Sequence, residues 1–269
     1  MWLILGQGYC GTFLADAARA RGFSVLGVRR EAGPEILAFD DPAAAGAMAS
    51  ASYIVSTIAP VSGVDPVLAR YGAELAQSRA WKAWLSSTGV YGDAGGAWVD
   101  EASPLAVGGR RAARVEADRQ WQTVDAAIFR LPGIYGPGRS ALDAVRSGTA
   151  RRIDRPGHRF SRIHVRDIIG ALLIAAEHRL TGVWNLTDNL PAEPAAVTEE
   201  ACRLLSVEPP PPVALEDAGL SPMAGGFWED HRLVSGERFL RKTGYRLRYP
   251  DYKAGLRAIL KEETWPTGC

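Results

Sequence analysis

Lysine is scarce in this 269-residue chain: of 31 basic residues only Lys82, Lys242, Lys253 and Lys261 are lysines. The rest are arginines, which do not give up a proton in proteins, so lysine chemistry has few candidates. Cysteine is scarcer still. Cys10, Cys202 and Cys269 are too few and too scattered for a disulfide framework or a zinc site, and they fit a reducing cytoplasm. No apolar run approaches the ~18 residues of a membrane span. Gly6, Gly8 and Gly11 break the apolar N-terminus at once, and no basic stretch precedes it, unlike a signal peptide. Net charge is +1, so no global field recruits nucleic acid or a membrane surface. What is present is an ordinary globular composition, 47% hydrophobic and 23% charged, long enough for a sizeable core.

Short apolar runs alternate with helical stretches over the first 131 residues. Trp2–Leu5, Ser24–Val28, Ile36–Phe39, Tyr53–Ile58, Lys82–Ser86 and Ala126–Leu131 read as strands. Gly11–Arg21, Pro42–Ser50, Pro66–Arg79 and Arg110–Gln122 read as the helices between them. This alternation predicts a parallel sheet with helices on both faces. Beyond Leu131 the pattern loosens into a turn-rich loop and an arginine-dense stretch. A helix at Ile168–His178 and a strand at Gly182–Leu186 follow. Ala195–Leu205 and Tyr252–Glu262 read as later helices, with Pro209–Pro212 an extended linker.

Gly6-Gln7-Gly8-Tyr9-Cys10-Gly11 directly follows the first strand and opens the first helix, the context a dinucleotide-binding turn requires. Gly6 permits the tight turn, Gly8 lets the backbone approach a pyrophosphate, and Gly11 lets helix and strand pack closely. Free N–H groups at the helix start then face the anion. An acidic residue about 20 positions on would select NAD. Arg29 and Arg30 stand there instead. Two cations suit a 2′-phosphate, so NADP is expected over NAD.

Further motifs follow in a recognisable order: Ser56-Thr57-Ile58-Ala59-Pro60, Ser86-Ser87-Thr88-Gly89-Val90-Tyr91-Gly92, Phe129-Arg130-Leu131-Pro132-Gly133-Ile134-Tyr135-Gly136-Pro137, Ile163-His164-Val165-Arg166-Asp167 and Trp184-Asn185-Leu186-Thr187-Asp188. Over roughly residues 1–190 the chain resembles the extended short-chain dehydrogenase/reductases, the NAD-dependent epimerase/dehydratase group. The resemblance implies a doubly wound Rossmann sheet over residues 1–190, with a loop insertion at about 133–160, and a smaller substrate-side part over 191–269. It places Ala59, Pro60, Pro132 and Gly133 near the nicotinamide. Tyr9, Cys10, Asp40 and Thr57 complete the expected cofactor set.

The family's chemistry uses a Tyr-x-x-x-Lys pair on the helix after the fifth strand. Here that segment reads Gly108-Gly109-Arg110-Arg111-Ala112, with Gly108 and Ala112 where the pair should stand. Tyr249 and Lys253 have the spacing, but Pro250 disfavours a helix there. Ser87, with Thr88 beside it, matches the residue that orients the substrate oxygen. Tyr91 is the nearest tyrosine, either a substitute acid/base or a packed aromatic. Arg110, Arg114 and Arg139 are candidates for an anionic, sugar-derived substrate, since arginine suits bidentate recognition of phosphate and carboxylate. His164 is a further substrate-side candidate. Residues 139–166 hold eight arginines against Asp143 and Asp154. Without interleaved aromatics they do not make a nucleic-acid surface.

The expected function is an NADP-binding oxidoreductase or epimerase-like enzyme on a small anionic molecule. The alternative is a non-catalytic NADP-binding sensor on the same fold. The highly charged Arg110–Gln122 helix argues against the dimer common in the family, and the sequence sets no oligomeric state.

Overall fold

A computed structural model describes residues 1–61 and 63–264, and at Arg110, Pro222, Met223, Glu263 and Thr264 the backbone alone. Cys269 and Trp265 lie outside the described residues. The first half runs β1 (Trp2–Leu5), α1 (Tyr9–Arg19), β2 (Val25–Arg29), β3 (Ile36–Ala38), α2 (Ala43–Ser50), β4 (Tyr53–Ser56), α3 (Pro66–Gln77), β5 (Trp81–Ser87), β6 (Trp98–Val99), α4 (Ala112–Gln122) and β7 (Ala127–Leu131). The second runs β8 (Gly133–Tyr135), α5 (Ala141–Arg146), β9 (Arg152–Asp154), β10 (Arg162–His164), α6 (Val165–Glu177), β11 (Gly182–Asn185), α7 (Pro194–Leu205), β12 (Pro212–Ala214), α8 (Pro222–Trp228), β13 (Leu233–Val234), α9 (Glu237–Thr243) and α10 (Tyr252–Thr264).

Seven strands form one sheet in the order β11-β7-β5-β4-β1-β2-β3, every pair parallel. This is the parallel sheet that the strand–helix alternation predicted, in the Rossmann-type arrangement that the resemblance implied. β1 and β4 pair directly, Trp2 opposite Tyr53. The chain winds outward from them in both directions, so their carboxyl ends border the crevice where such sheets bind ligands. Both faces are covered. Trp2, Ile4, Leu14, Phe129, Leu172 and Trp184 pack on the α1/α6 face. Leu3, Leu5, Met48, Ile54, Leu75 and Trp84 pack on the other. Alternate strand residues therefore enter opposite cores, which is why the strands read as continuous apolar runs. No helix of the described residues is long and apolar enough to cross a membrane.

Three departures bear on the site. The expected Arg110–Gln122 helix begins at Ala112, after a 3-10 turn over Gly109–Arg111. Gly108 and Gly109 precede it at φ +68° and +65°, a conformation that ends helical geometry for residues with a Cβ. The arginine-dense stretch, expected as a loop, holds α5, β9 and β10. The proline run does not stay a free linker, because Pro212 enters β12 and pairs with β9. The chain after residue 190 also returns to the main core, where Phe239 of α9 is fully buried.

Candidate functional site

The glycine turn joins β1 to α1 at the crevice. Gly6 sits at φ +88°, and a Cβ there would lie 2.6 Å from Ile58 Cγ1. A Cβ on Gly11 would lie 2.9 Å from the Gly6 carbonyl oxygen and 3.1 Å from Ile4 Cγ2. At Gly8 the only neighbour within 4 Å is the Gly6 carbonyl oxygen, at 3.9 Å. The turn thus closes at Gly6, packs at Gly11 and lies open at Gly8. No side chain caps α1 and no acid stands in its first turn. The first N–H groups of a helix have no intrahelical acceptor, and here they face the opening. This cradle fits a dinucleotide pyrophosphate.

The side chains of Tyr9 and Cys10 turn away from that opening. The Tyr9 hydroxyl donates to the Pro137 carbonyl at 3.1 Å. Burial pushes the Cys10 thiol up to about 11, against the thiolate a helix N-terminus favours. Both residues offer the turn their backbone. Thr57, just past β4, donates through Oγ1 to the Gly6 carbonyl and through N–H to Leu5 O at 2.8 Å, so it braces the turn. Ala59 and Pro60 continue along the same rim.

At the end of β2, Arg29 folds across the turn. Its Nε donates to the Gln7 carbonyl, and its Nη2 lies 3.4 Å from Thr12 Oγ1 in α1. Arg30 is exposed beside it. Asp40 lies past β3, exposed, its carbonyl accepting from Arg70 Nη2 at 2.8 Å.

Ser87 ends β5 with its side chain half-buried. Its Oγ accepts from the Gly89 N–H at 3.1 Å, which holds the hydroxyl at the rim, next to buried Thr88. Pro132 and Gly133 follow β7 in the same edge, and Gly133 N–H donates to Ser161 O at 3.3 Å. Tyr91, weighed as a substitute acid/base, is a structural link instead. It is 5% exposed, its hydroxyl donates to Asn185 Oδ1 at 2.7 Å, and it accepts from Arg130 Nη1 at 3.0 Å. Arg130 in turn grips Asp118 through Nε and Nη2 at 3.0 and 2.7 Å. Burial raises the Tyr91 phenol, outweighing the Arg130 charge.

His164 is likewise corrected. It is 1% exposed, its Nδ1 accepts from the Arg166 N–H at 3.2 Å as the cap of α6, and its ring lies 3.9 Å from that of Tyr249. Burial pushes it down to about 3, so it is neutral and structural. Arg139, assigned to the substrate, lies over the Tyr9 ring at 5.6 Å, beside the cofactor turn. Two other basic residues of its stretch are taken up by acids: Arg152 pairs with Glu199 and Arg166 with Glu262, both at 2.6 Å.

A cationic group missed by sequence reasoning gathers at the end of β5. Asp230 is buried between Arg111 and Arg232, its Oδ2 3.0 Å from Arg111 Nε and 3.1 Å from Arg232 Nη1. Burial alone would raise the Asp230 carboxyl, and the two guanidinium groups hold it below its usual range. Arg232 also donates to Gly92 O at 2.7 Å. Its Nη2 lies 4.0 Å from where a Gly89 Cβ would stand, and Ser87 Oγ lies 3.3 Å from the same point. Arg232 and Ser87 therefore face one small space. Arg114, on α4, is half-buried. Asp118, one turn further along that helix, accepts from Ser86 Oγ at 3.0 Å, so Arg114 lies about 6 Å nearer the start of α4. Burial pulls the Arg114 guanidinium down, and it has no hydrogen bond or ion pair among the described residues. Arg110 precedes α4 in the 3-10 turn, so the helical face expected to carry it with Arg114 is broken. Among the described residues no group of His, Cys, Asp and Glu could hold a metal ion.

No protein-family profile matches the sequence. A 3-diazoavenalumate denitrifying reductase from Streptomyces is 30% identical over 142 residues. That match spans 48% of this chain and 45% of the reductase. A functionally unknown conserved protein from Silicibacter pomeroyi is 37% identical over 97% of this chain and 98% of its own, with a TM-score of 0.89. The human epimerase family protein SDR39U1, solved with NADPH, is 19% identical over 97% and 99% of the two chains, TM-score 0.77. MoeE5, solved with UDP-glucose and NAD, is 17% identical over 98% of both, TM-score 0.76. With the sheet order and the glycine turn, these likenesses show that the chain belongs to one family with the Silicibacter pomeroyi protein, on the Rossmann fold of the NAD-dependent epimerase/dehydratases.

Proposed function

We propose that the chain is a nicotinamide-dependent oxidoreductase that prefers NADPH to NADH and acts on a small anionic molecule. The observation that carries this reading is the open cradle at Gly8 with Arg29 folded across it. Bound there, NADPH would supply a hydride, and its 2′-phosphate would meet Arg29 and Arg30. The named reductase relative and the NADPH complex of SDR39U1 support the same direction.

The chain's own residues then divide the work. Thr57 holds the turn in shape. Ser87 Oγ orients an oxygen at the rim, and Arg232 supplies hydrogen bonds to that oxygen as it gains charge, the electrostatic role that needs a preorganised donor. Arg114, desolvated and without a carboxylate, receives the substrate's carboxylate or phosphate, because a buried guanidinium is stabilised mainly by an anionic partner. Sugar nucleotides are the first substrates to test, since MoeE5 carries UDP-glucose on this fold.

A second reading, cofactor binding without turnover, is favoured by one observation. Tyr91 is locked to Arg130 and Asn185, His164 is enclosed, and arginine does not release a proton at working pH. Calorimetric titration with NADPH and NADH tests the shared foundation. NADPH should bind more tightly, and Arg29→Ala should weaken NADPH by about tenfold or more while sparing NADH, as expected for a charge-assisted contact. Equal affinities in the unmodified protein would remove the phosphate assignment. Hydride transfer to any carbonyl substrate, lost in Ser87→Ala, then separates enzyme from sensor.

A further inference from the structure

A second cavity lies away from Ser87, between β8, α5, α7 and α10, with a volume of about 390 Å³. That is within the range of small-molecule sites. Its apolar walls are Pro194, Val197 and Leu256, with the rings of Tyr135 and Tyr252. Its polar capacity is mostly that of donors. Arg162 reaches it from the interior. One nitrogen, Nη1, donates to the carbonyls of Phe160 and Ala192 at 2.8 and 2.9 Å, and Nε and Nη2 are unused among the described residues. Arg162 lies deep in the fold yet keeps part of its surface accessible, because the cavity opens on it. Arg139 stands at the mouth and makes no ion pair among the described residues.

Among the described residues no acid makes an ion pair of contact length with Arg139 or Arg162. Asp143 lines the cavity, but its Oδ2 accepts from the Ser140 N–H and hydroxyl at 2.7 and 2.6 Å, closing the start of α5. Asp188 acts on Arg162 without a contact of ion-pair length. Its Oδ1 accepts from Leu190 N–H at 3.2 Å, its Oδ2 has no partner, and it does not line the cavity. A guanidinium held inside a protein with its donors unused is stabilised strongly by an anion.

We propose that this cavity is a binding site for a small anion, a carboxylate or phosphate carried on an apolar ring or short chain. The charged group sits between Arg162 and Arg139, and the apolar body lies against Val197, Leu256 and the two tyrosine rings. The site does not rest on the cofactor reading, because none of its walls belongs to the glycine turn. Only Arg139, over the Tyr9 ring, borders both.

Calorimetry on the full chain with phenyl phosphate as probe tests it. Phenyl phosphate should bind, and inorganic phosphate, lacking the ring, should bind at least about tenfold more weakly. Val197→Trp, which fills the cavity from an apolar wall, should abolish binding while leaving the thermal midpoint near that of the unmodified protein. Arg139→Met should weaken it about tenfold, the worth of a charge-assisted contact. Saturating NADPH should leave the probe's affinity within a few-fold. Three outcomes overturn the proposal: no heat from phenyl phosphate at millimolar concentration, full binding in Val197→Trp, or complete displacement by NADPH, which would put the probe on the glycine turn. Equal binding of phenyl and inorganic phosphate would overturn the apolar half of the assignment.

Discussion

At Tyr91 the hydroxyl both gives and receives a hydrogen bond inside a buried chain that runs Asp118–Arg130–Tyr91–Asn185. Tyr91→Phe removes two bonds and leaves Arg130 and Asn185 short of a partner. Urea unfolding should show a loss of about 1–3 kcal/mol, with nicotinamide binding unchanged. A variant as stable as the parent would mean that water replaces the hydroxyl. Asp188 offers a pH-dependent counterpart. Burial lifts its carboxyl to about 7, above the unfolded value of about 4. The folded state therefore prefers the protonated form. The stability linked to this group is full below about pH 4 and is lost as pH rises through about 7. Asp188→Asn, which keeps an acceptor for the Leu190 N–H, should gain on the parent between pH 5 and pH 8, by up to about 4 kcal/mol. Parallel stability curves for the two proteins would refute it. Neither Tyr91 nor Asp188 announces its surroundings in the sequence, because Asn185 and Arg162 reach them only through the folded sheet.

At the scale of elements, the β1–α1 turn was legible because its constraints are local. Gly6 and Gly11 are demanded by neighbours at 2.6 and 2.9 Å, Gly8 by nothing within the chain closer than 3.9 Å. This difference separates the two glycines that the fold itself demands from the one that, in the proposed function, a ligand demands. Gly11→Ala forces a helical Cβ onto the Gly6 carbonyl and should cost about 1–3 kcal/mol of stability. Gly8→Ala, at φ −87°, should unfold like the parent yet bind neither NADPH nor NADH measurably. A Gly8→Ala protein with intact cofactor affinity would move the pyrophosphate elsewhere. The α4 start was less legible. A four-residue spacing from Arg110 to Arg114 reads as one helical face, but two positive-φ glycines delay the helix to Ala112. The same delay places Gly108 outside any helix. Arg232 and Asp230 were invisible for another reason. They meet Ser87 and Arg111 across more than a hundred residues, and no periodicity marks such a meeting.

The whole molecule is stitched more tightly than a division at residue 190 suggests. Phe239 of α9 packs its ring against Phe129 and Trp184, at 6.0 and 5.8 Å, inside the α1/α6 core. Asp167 of α6 accepts from the Tyr245 hydroxyl at 3.0 Å and from the N–H groups of Arg248 and Tyr249 at 2.7 and 2.9 Å. β13 pairs with β6, and Asp230 ties Arg111 to Arg232 at the rim. The C-terminal chain thus completes the packing on β7 and β11, where Phe239 joins the α1/α6 core. Removing a fully buried phenylalanine typically costs about 3–5 kcal/mol. Phe239→Ala should lose that much in urea unfolding, and the parent should unfold in one transition followed alike by tryptophan fluorescence and circular dichroism. A fragment ending at residue 190 should fail to fold. Two separated transitions, or a folded fragment that binds NADPH, would instead restore two independent domains. Arg232 would then reach Ser87 only through a movable interface, and the anion site at the end of β5 would form on closure rather than stand ready.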